Sequence, residues 1–97
     1  MPAYVIANVD VTDPEGYRAY AEQVVATVAA HGGRYLARAG RCELLEGEGQ
    51  PGRLVILEFP SYEAARAWYR SADYERIKPL RLANSRGQVV ITDGLPQ

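Results

Sequence analysis

Leu54-Val55-Ile56-Leu57-Glu58-Phe59-Pro60-Ser61 is the stretch on which the fold turns. Its first six residues are apolar except Glu58, a run short and greasy enough for a strand inside a sheet. Pro60 has no backbone N–H and stops it. Ser61 then stands where a helix N-cap belongs, its hydroxyl available to the first free amides. A strand running straight into a helix, in a chain of 97 residues, points to one sheet with helices packed against it.

Upstream, Gly47-Glu48-Gly49-Gln50-Pro51-Gly52 is a turn-rich loop. Before it, Arg34 to Glu46 reads as extended, with a bulge or bend expected at Gly40. Further back, Asp13-Pro14-Glu15 is a helix start: a capping carboxylate, a proline whose fixed φ suits the first position, and an acid that complements the dipole. Tyr17, Tyr20, Ala21, Val24, Val25 and Val28 recur at spacings of three and four, predicting a helix to about His31 that Gly32-Gly33 end. The chain opens with a strand over Ala3 to Val11. In it Ala3, Val5, Ala7, Val9 and Val11 alternate with Tyr4, Ile6, Asn8 and Asp10.

Downstream of Ser61, Ala65, Trp68, Tyr69 and Ala72 share a helical face. Ser71-Ala72-Asp73 reads as a break, with Asp73 capping a further turn to Ile77. Pro79 either interrupts that turn or starts a last helical piece to about Asn84. Gln88 to Asp93 is the last strand and Gly94-Leu95-Pro96-Gln97 a frayed end. The order β-α-β-β-α-β over residues 1–97 predicts one α+β domain with the ferredoxin-like arrangement. Right-handed crossovers put both helices on one face of an antiparallel sheet, with the first and third strands central.

That leaves the other face bare. With Val5, Ala7 and Val9 turned to the helices and Phe59 set beside Trp68, the open face carries Tyr4, Ile6, Asn8, Asp10, Leu54, Ile56 and Glu58. Tyr4, Ile6, Leu54 and Ile56 form an apolar patch, and a second copy about a two-fold axis is its simplest cover. Two such sheets make a dimeric α/β barrel with an interior cleft in each subunit. Glu58 on that face calls for a partner; Arg34 or Arg38 from the neighbouring strand can supply one, and an Arg38–Glu58 pair is the expectation. This pair reads either as a structural ion pair at a wet rim or as part of a small-molecule site. The candidate ligand-binding set for the second reading is Tyr4, Asn8, Tyr35, Arg38 and Glu58, with the two tyrosines shaping the pocket.

Composition narrows the partners. A net charge of −1, from 11 basic and 12 acidic residues interspersed, leaves no basic stripe for nucleic acid or anionic membrane. No run reaches the roughly 20 apolar residues of a membrane span, and the N-terminus lacks a signal-peptide pattern. The lone Cys42 cannot form an internal disulfide, which suits a reducing cytoplasm; it is expected to pack in or beside a strand. The lone His31 belongs at the end of the first helix. These two do not make a metal site, so neither metal nor cofactor is expected. Tyr17, Tyr20, Trp68, Tyr69 and Tyr74 are expected as core anchors. No residue identifies itself as catalytic.

Several motifs then fall in order. They are Asn8-x-Asp10-Val11-x-Asp13-Pro14-x-x-Tyr17-x-x-Tyr20; Gly32-Gly33-Arg34-Tyr35-Leu36-x-Arg38; Leu45-Glu46-Gly47; Glu58-Phe59-Pro60-Ser61; and Tyr69-x-Ser71-x-x-Tyr74. Together they cover nearly the whole chain, which resembles the DUF1330 family, a domain of unknown function. That family is similar in architecture to the dimeric α/β-barrel proteins, among them cofactor-independent monooxygenases of antibiotic biosynthesis and muconolactone isomerases. The resemblance implies a ferredoxin-like homodimer. By fold-level analogy alone it admits a cofactor-independent enzyme acting on a small organic acid or aromatic compound. It transfers no catalytic positions.

Overall fold

The computed structural model describes residues 1–96. Its elements run β1 (Ala3–Val11), α1 (Pro14–Ala30), β2 (Arg34–Arg38), β3 (Arg53–Phe59), α2 (Tyr62–Arg70), α3 (Ala72–Asn84) and β4 (Ser85–Asp93). The strands form one antiparallel sheet in the order β2-β3-β1-β4, so the first and third strands are central as their apolar runs require. This is the ferredoxin-like α+β fold. The molecule is a slab of 34 × 34 × 17 Å, which is one sheet plus one layer of helices.

Local chemistry sets the helix ends. Asp13 accepts from the amides of Glu15 and Gly16, and Pro14 takes the first helical position. Ser61 Oγ accepts from Ala64 N at 3.0 Å. Gly32, at φ +77°, ends α1 in a conformation that a Cβ resists. Gly33 follows because Phe59 and Val28 crowd it: a Cβ there would lie 2.6 Å from Phe59 Cε1 and 2.8 Å from Val28 Cγ1.

The core lies between sheet and helices. Val5 and Val9 of β1 and Leu57 and Phe59 of β3 pack against Tyr17, Tyr20, Val24 and Val28 of α1, Ala65 and Trp68 of α2, and Tyr74 and Ile77 of α3. Phe59 does lie beside Trp68, with ring centroids 5.4 Å apart. The tyrosines expected to anchor the core do so, Tyr69 from its edge. Val25, read into the apolar stripe of α1, is exposed, and Thr27 takes the buried place. Its hydroxyl donates to Val24 O and accepts from Trp68 Nε1, which removes the penalty of burying it.

Several expectations are corrected. The extended pattern of Arg34 to Glu46 yields a strand only to Arg38, and residues 39–52 form a loop. The bulge falls at Leu36, between Tyr35 and Ala37, not at Gly40. The helical run breaks at Ser71, as expected, but Ser71 rather than Asp73 is the cap: it ends α2 and starts α3. α3 then continues through Pro79 to Asn84. Pro79 and Glu75 are both exposed, so the Glu75 carbonyl that loses its helical partner faces water, which lowers the cost of a proline there. Cys42 is exposed in the loop rather than packed on a strand. At the C-terminus Gly94 N donates to Pro2 O at 2.7 Å, so the expected fraying starts later; Gln97 lies outside the described residues.

Candidate functional site

The bulge at Leu36 decides which side chains meet. Side chains of a strand alternate in facing, so Arg34 and Arg38, four apart, would share a face in a regular strand. The extra residue flips the second half of β2. Arg34 pairs with Glu58 across the strands, whereas Arg38 pairs with Val55 and so faces the helices. The expected Arg38–Glu58 pair is therefore absent; Arg34 Nε donates to Glu58 Oε1 at 2.7 Å instead. The Arg34 side chain is 71% exposed, and such a surface pair contributes at most about 1 kcal/mol.

The candidate ligand set divides accordingly. Tyr4, Asn8 and Glu58 lie on the open face, in register with Thr92, Gln88 and Arg34 of the flanking strands. Asn8 Oδ1 accepts from Gly52 N at 3.0 Å, which fastens the end of the long loop. Tyr35 and Arg38 lie on the helix side. No single cleft gathers all five.

On the helix side there is a cavity. Its walls are Val5, Ala7, Val9, Val24, Val55 and Leu57, closed by Tyr17, Tyr20, Tyr35, Trp68, Tyr74 and Arg81. It encloses about 500 Å³ of space counting its mouth, of which about 40 Å³ admits the centre of a water-sized sphere. At roughly 10–15 Å³ per water, that is room for about three.

Arg81 is the unexpected member. Only 9% of it is exposed, and among the described residues it forms no ion pair. Its Nε donates to Tyr74 Oη at 3.2 Å, and Tyr74 Oη shares a hydrogen bond of 2.8 Å with Tyr20 Oη. Burial disfavours the guanidinium, and Tyr74 and Tyr20 outweigh this, leaving its pKa above the usual arginine value. Burial and the neighbouring Tyr74 push the Tyr20 phenol far up. Burial also raises Tyr17 and Tyr35, against the pull of Arg53 and Arg38 respectively. The cavity is thus walled by phenols and one cation. Among the described lining residues there is no carboxylate, histidine or thiol.

Two more guanidiniums stand behind the lining tyrosines. Arg53 lies over the Tyr17 ring at 5.6 Å and Arg38 over the Tyr35 ring at 4.9 Å, attracted by the negative ring face. Arg38 Nη2 also reaches Ala21 O at 3.4 Å, spanning from β2 to α1. Chemically, such a cavity can hold and polarise an acidic ligand. It offers hydrogen-bond donors and positive charge, and no side chain suited to removing a proton at neutral pH.

Sequence reasoning placed Tyr20, Trp68 and Tyr74 in the core but missed Arg81 and Arg53. A signal for Arg81 existed. Tyr74, Ile77 and Arg81 follow the i, i+3, i+7 stripe of a buried helix face, so an arginine occupies a place where the pattern asks for an apolar residue. His31 caps α1 with Nδ1 3.1 Å from Thr27 O, away from the cavity. Among the described residues no cluster of His, Cys, Asp and Glu could hold a metal ion.

Solved structures share this architecture. RPA0582, a protein of unknown function from Rhodopseudomonas palustris, superposes with a TM-score of 0.82 at 18% identity, over 99% of this chain and 84% of that one. SnoaB, a cofactor-independent oxygenase from Streptomyces nogalater, gives 0.69 at 12% identity, over 99% and 95%. An antibiotic biosynthesis monooxygenase gives 0.58 at 24%, over 99% and 100%. At these identities the likeness concerns the fold. No curated protein matches the chain. The model of the domain of unknown function DUF1330 matches residues 2–95, and the chain belongs to that family.

Proposed function

We propose that the protein is a cytoplasmic homodimer that binds a small organic acid or aromatic anion in the cavity between sheet and helices. The observation that carries this reading is Arg81: a buried cation with no acidic partner among the described residues, at the wall of an otherwise apolar cavity. Taking a charge out of water costs several kcal/mol unless something of opposite sign meets it. A bound carboxylate, phenolate or enolate supplies that partner, and the phenols of Tyr20 and Tyr74 orient it.

The dimer rests on the slab shape and the open face. Ile6 stands between Ile56 and Val90, and Tyr4 and Leu54 extend the same surface. A sheet covered on one side only, with an apolar centre to its bare side, fits a second copy of itself. An exposed lone thiol at Cys42 suits a reducing compartment, and among the described residues no helix is long and apolar enough to cross a membrane.

A second reading is enzymatic. A cation and phenol donors beside a ligand oxygen would stabilise an enolate or phenolate of the ligand itself, as a cofactor-independent oxygenation or isomerisation requires. The binding reading is tested by titrating the sole tryptophan, Trp68, with benzoate and following its fluorescence. Saturable binding that Arg81→Met abolishes is expected; the same affinity in R81M would defeat it. Light scattering tests the assembly: a dimer is expected at micromolar concentration, and a paired Ile6→Glu, Ile56→Glu variant should be monomeric.

A further inference from the structure

The inner wall of the cavity carries a surplus of hydrogen-bond donors. Arg81 has five N–H groups and no acceptor. One of them, on Nε, goes to Tyr74 Oη at 3.2 Å. Among the described residues the N–H groups on its two terminal nitrogens have no partner. None of the fully enclosed side-chain nitrogens and oxygens described lacks a partner, so those two nitrogens border open space, and Arg81 lines the cavity. Tyr20 and Tyr74 add to the surplus. Their oxygens lie 2.8 Å apart with one hydroxyl hydrogen between them; whichever tyrosine donates it, the hydrogen of the other is left over. The described lining holds no acid to receive these donors or to balance the guanidinium. Water can take up the donors but brings no opposite charge. The enclosed part of the cavity, about 40 Å³ for the centre of a water-sized sphere, has room for about three waters.

Resting on the Arg81 site proposed above, we infer that this space holds a compact monovalent inorganic anion, chloride above all, when no organic acid is present, and that an organic acid enters by displacing it. Chloride accepts hydrogen bonds and donates none, which suits a wall of donors. It is little larger than a water molecule and meets one guanidinium with one charge. Sulfate and phosphate are bulkier and bring two charges to a single cation. The site is therefore not empty between organic ligands: chloride and the carboxylate compete for the same guanidinium.

Trp68 reports on the ion. It lines the same cavity, with its ring centroid 4.3 Å from that of Tyr74. Bromide, chemically close to chloride, quenches indole fluorescence on contact, and Trp68 is only 2% exposed, so collision from bulk solvent contributes little. Sodium bromide is titrated at constant ionic strength against sodium gluconate, whose anion is too bulky for the enclosed space. Quenching should saturate, and added chloride should reverse it where gluconate does not. Arg81→Met should abolish the saturating part and leave only a shallow linear slope. Arg81→Gln, which keeps donors and loses the charge, gives the same comparison should R81M fold poorly; circular dichroism checks both. Chloride at about ten times its own Kd should raise the apparent Kd of benzoate about tenfold. Purely linear quenching, the same saturation in the variants, gluconate as effective as chloride, or a benzoate affinity indifferent to chloride would each overturn the displaced ion, while benzoate binding keeps the organic-acid site standing. Saturable bromide quenching without benzoate binding would uphold the ion and overturn the organic ligand. Failure of bromide and benzoate alike to bind would overturn both readings.

Discussion

Replacing Arg81 with methionine should stabilise the empty protein. Methionine has a comparable reach and no charge. The change removes the hydrogen bond from Arg81 Nε to Tyr74 Oη, a loss of about 1.5–3 kcal/mol for a charged donor. It leaves no orphan, because Tyr74 Oη keeps its bond to Tyr20 Oη. Against this stands the release of a desolvated guanidinium, several kcal/mol in real proteins. The support that Tyr74 and Tyr20 lend to the guanidinium depends largely on negative charge on the phenols, which Tyr20, its pKa pushed far up by burial, does not carry at neutral pH, so desolvation dominates there. We expect a net gain of about 1 kcal/mol, raising Tm by about 4–8 °C for a domain of this size. Urea unfolding followed by Trp68 fluorescence measures it, at one fixed protein concentration because dimerisation would shift the midpoint. The slope m should not change. A loss of about 2 kcal/mol or more at unchanged m would show that the cation supports the fold, and the case for an anion site would fall with it.

Other outcomes follow from the same geometry. Tyr74→Phe removes the oxygen shared by Tyr20 and Arg81; leaving the Arg81 N–H and the Tyr20 hydroxyl without that partner should cost about 2–4 kcal/mol, read by denaturant midpoint. Gly33→Ala should cost about 1–3 kcal/mol by overpacking against Phe59 and Val28, whereas Gly40→Ala, where a Cβ meets nothing within 4 Å, should be close to neutral. The tyrosines give a pH signature. Tyr17, Tyr20 and Tyr35 have raised pKa values in the folded state, so below about pH 10 both folded and unfolded chains keep them protonated and stability does not depend on them. Above pH 10 the unfolded chain loses these protons first, and stability should fall as pH rises. Absorbance at 295 nm should show some of the seven tyrosines titrating only with unfolding; a single transition near pH 10 in the native protein would contradict their burial.

The parts of the fold that were legible in the sequence rest on local rules. Asp13-Pro14, Gly32-Gly33 and Pro60-Ser61 mark element ends through backbone chemistry that needs no distant partner. The alternation of β1 and the apolar run of β3 gave the facing of both central strands, which the register bears out from Ala3↔Phe59 to Asn8↔Leu54. The candidate site was less legible because it depends on register. Nothing in Arg34-Tyr35-Leu36-Ala37-Arg38 announces a bulge at its middle, and that one residue sends Arg38 to the helices and gives Glu58 to Arg34. Arg81 was passed over for a different reason: a charged residue in helix α3 reads as solvent-facing until the neighbouring stripe of Tyr74 and Ile77 is followed one turn further. The break expected at Ser71 is there, but its cap shows a third limit: Ser71 itself ends one helix and begins the next, where Asp73 was expected to cap.

The irregularity in β2 lets the strand tolerate a change of length. Loss of Leu36 by a single-codon deletion would remove the one residue without a partner on β3 and leave the other facings as they are: Arg34 outward, Tyr35 inward, Ala37 outward and Arg38 inward, now in strict alternation. The helix side would keep Arg38, and Glu58 would keep Arg34. Homologues one residue shorter at this spot would thus be expected to bind and pair as this chain does.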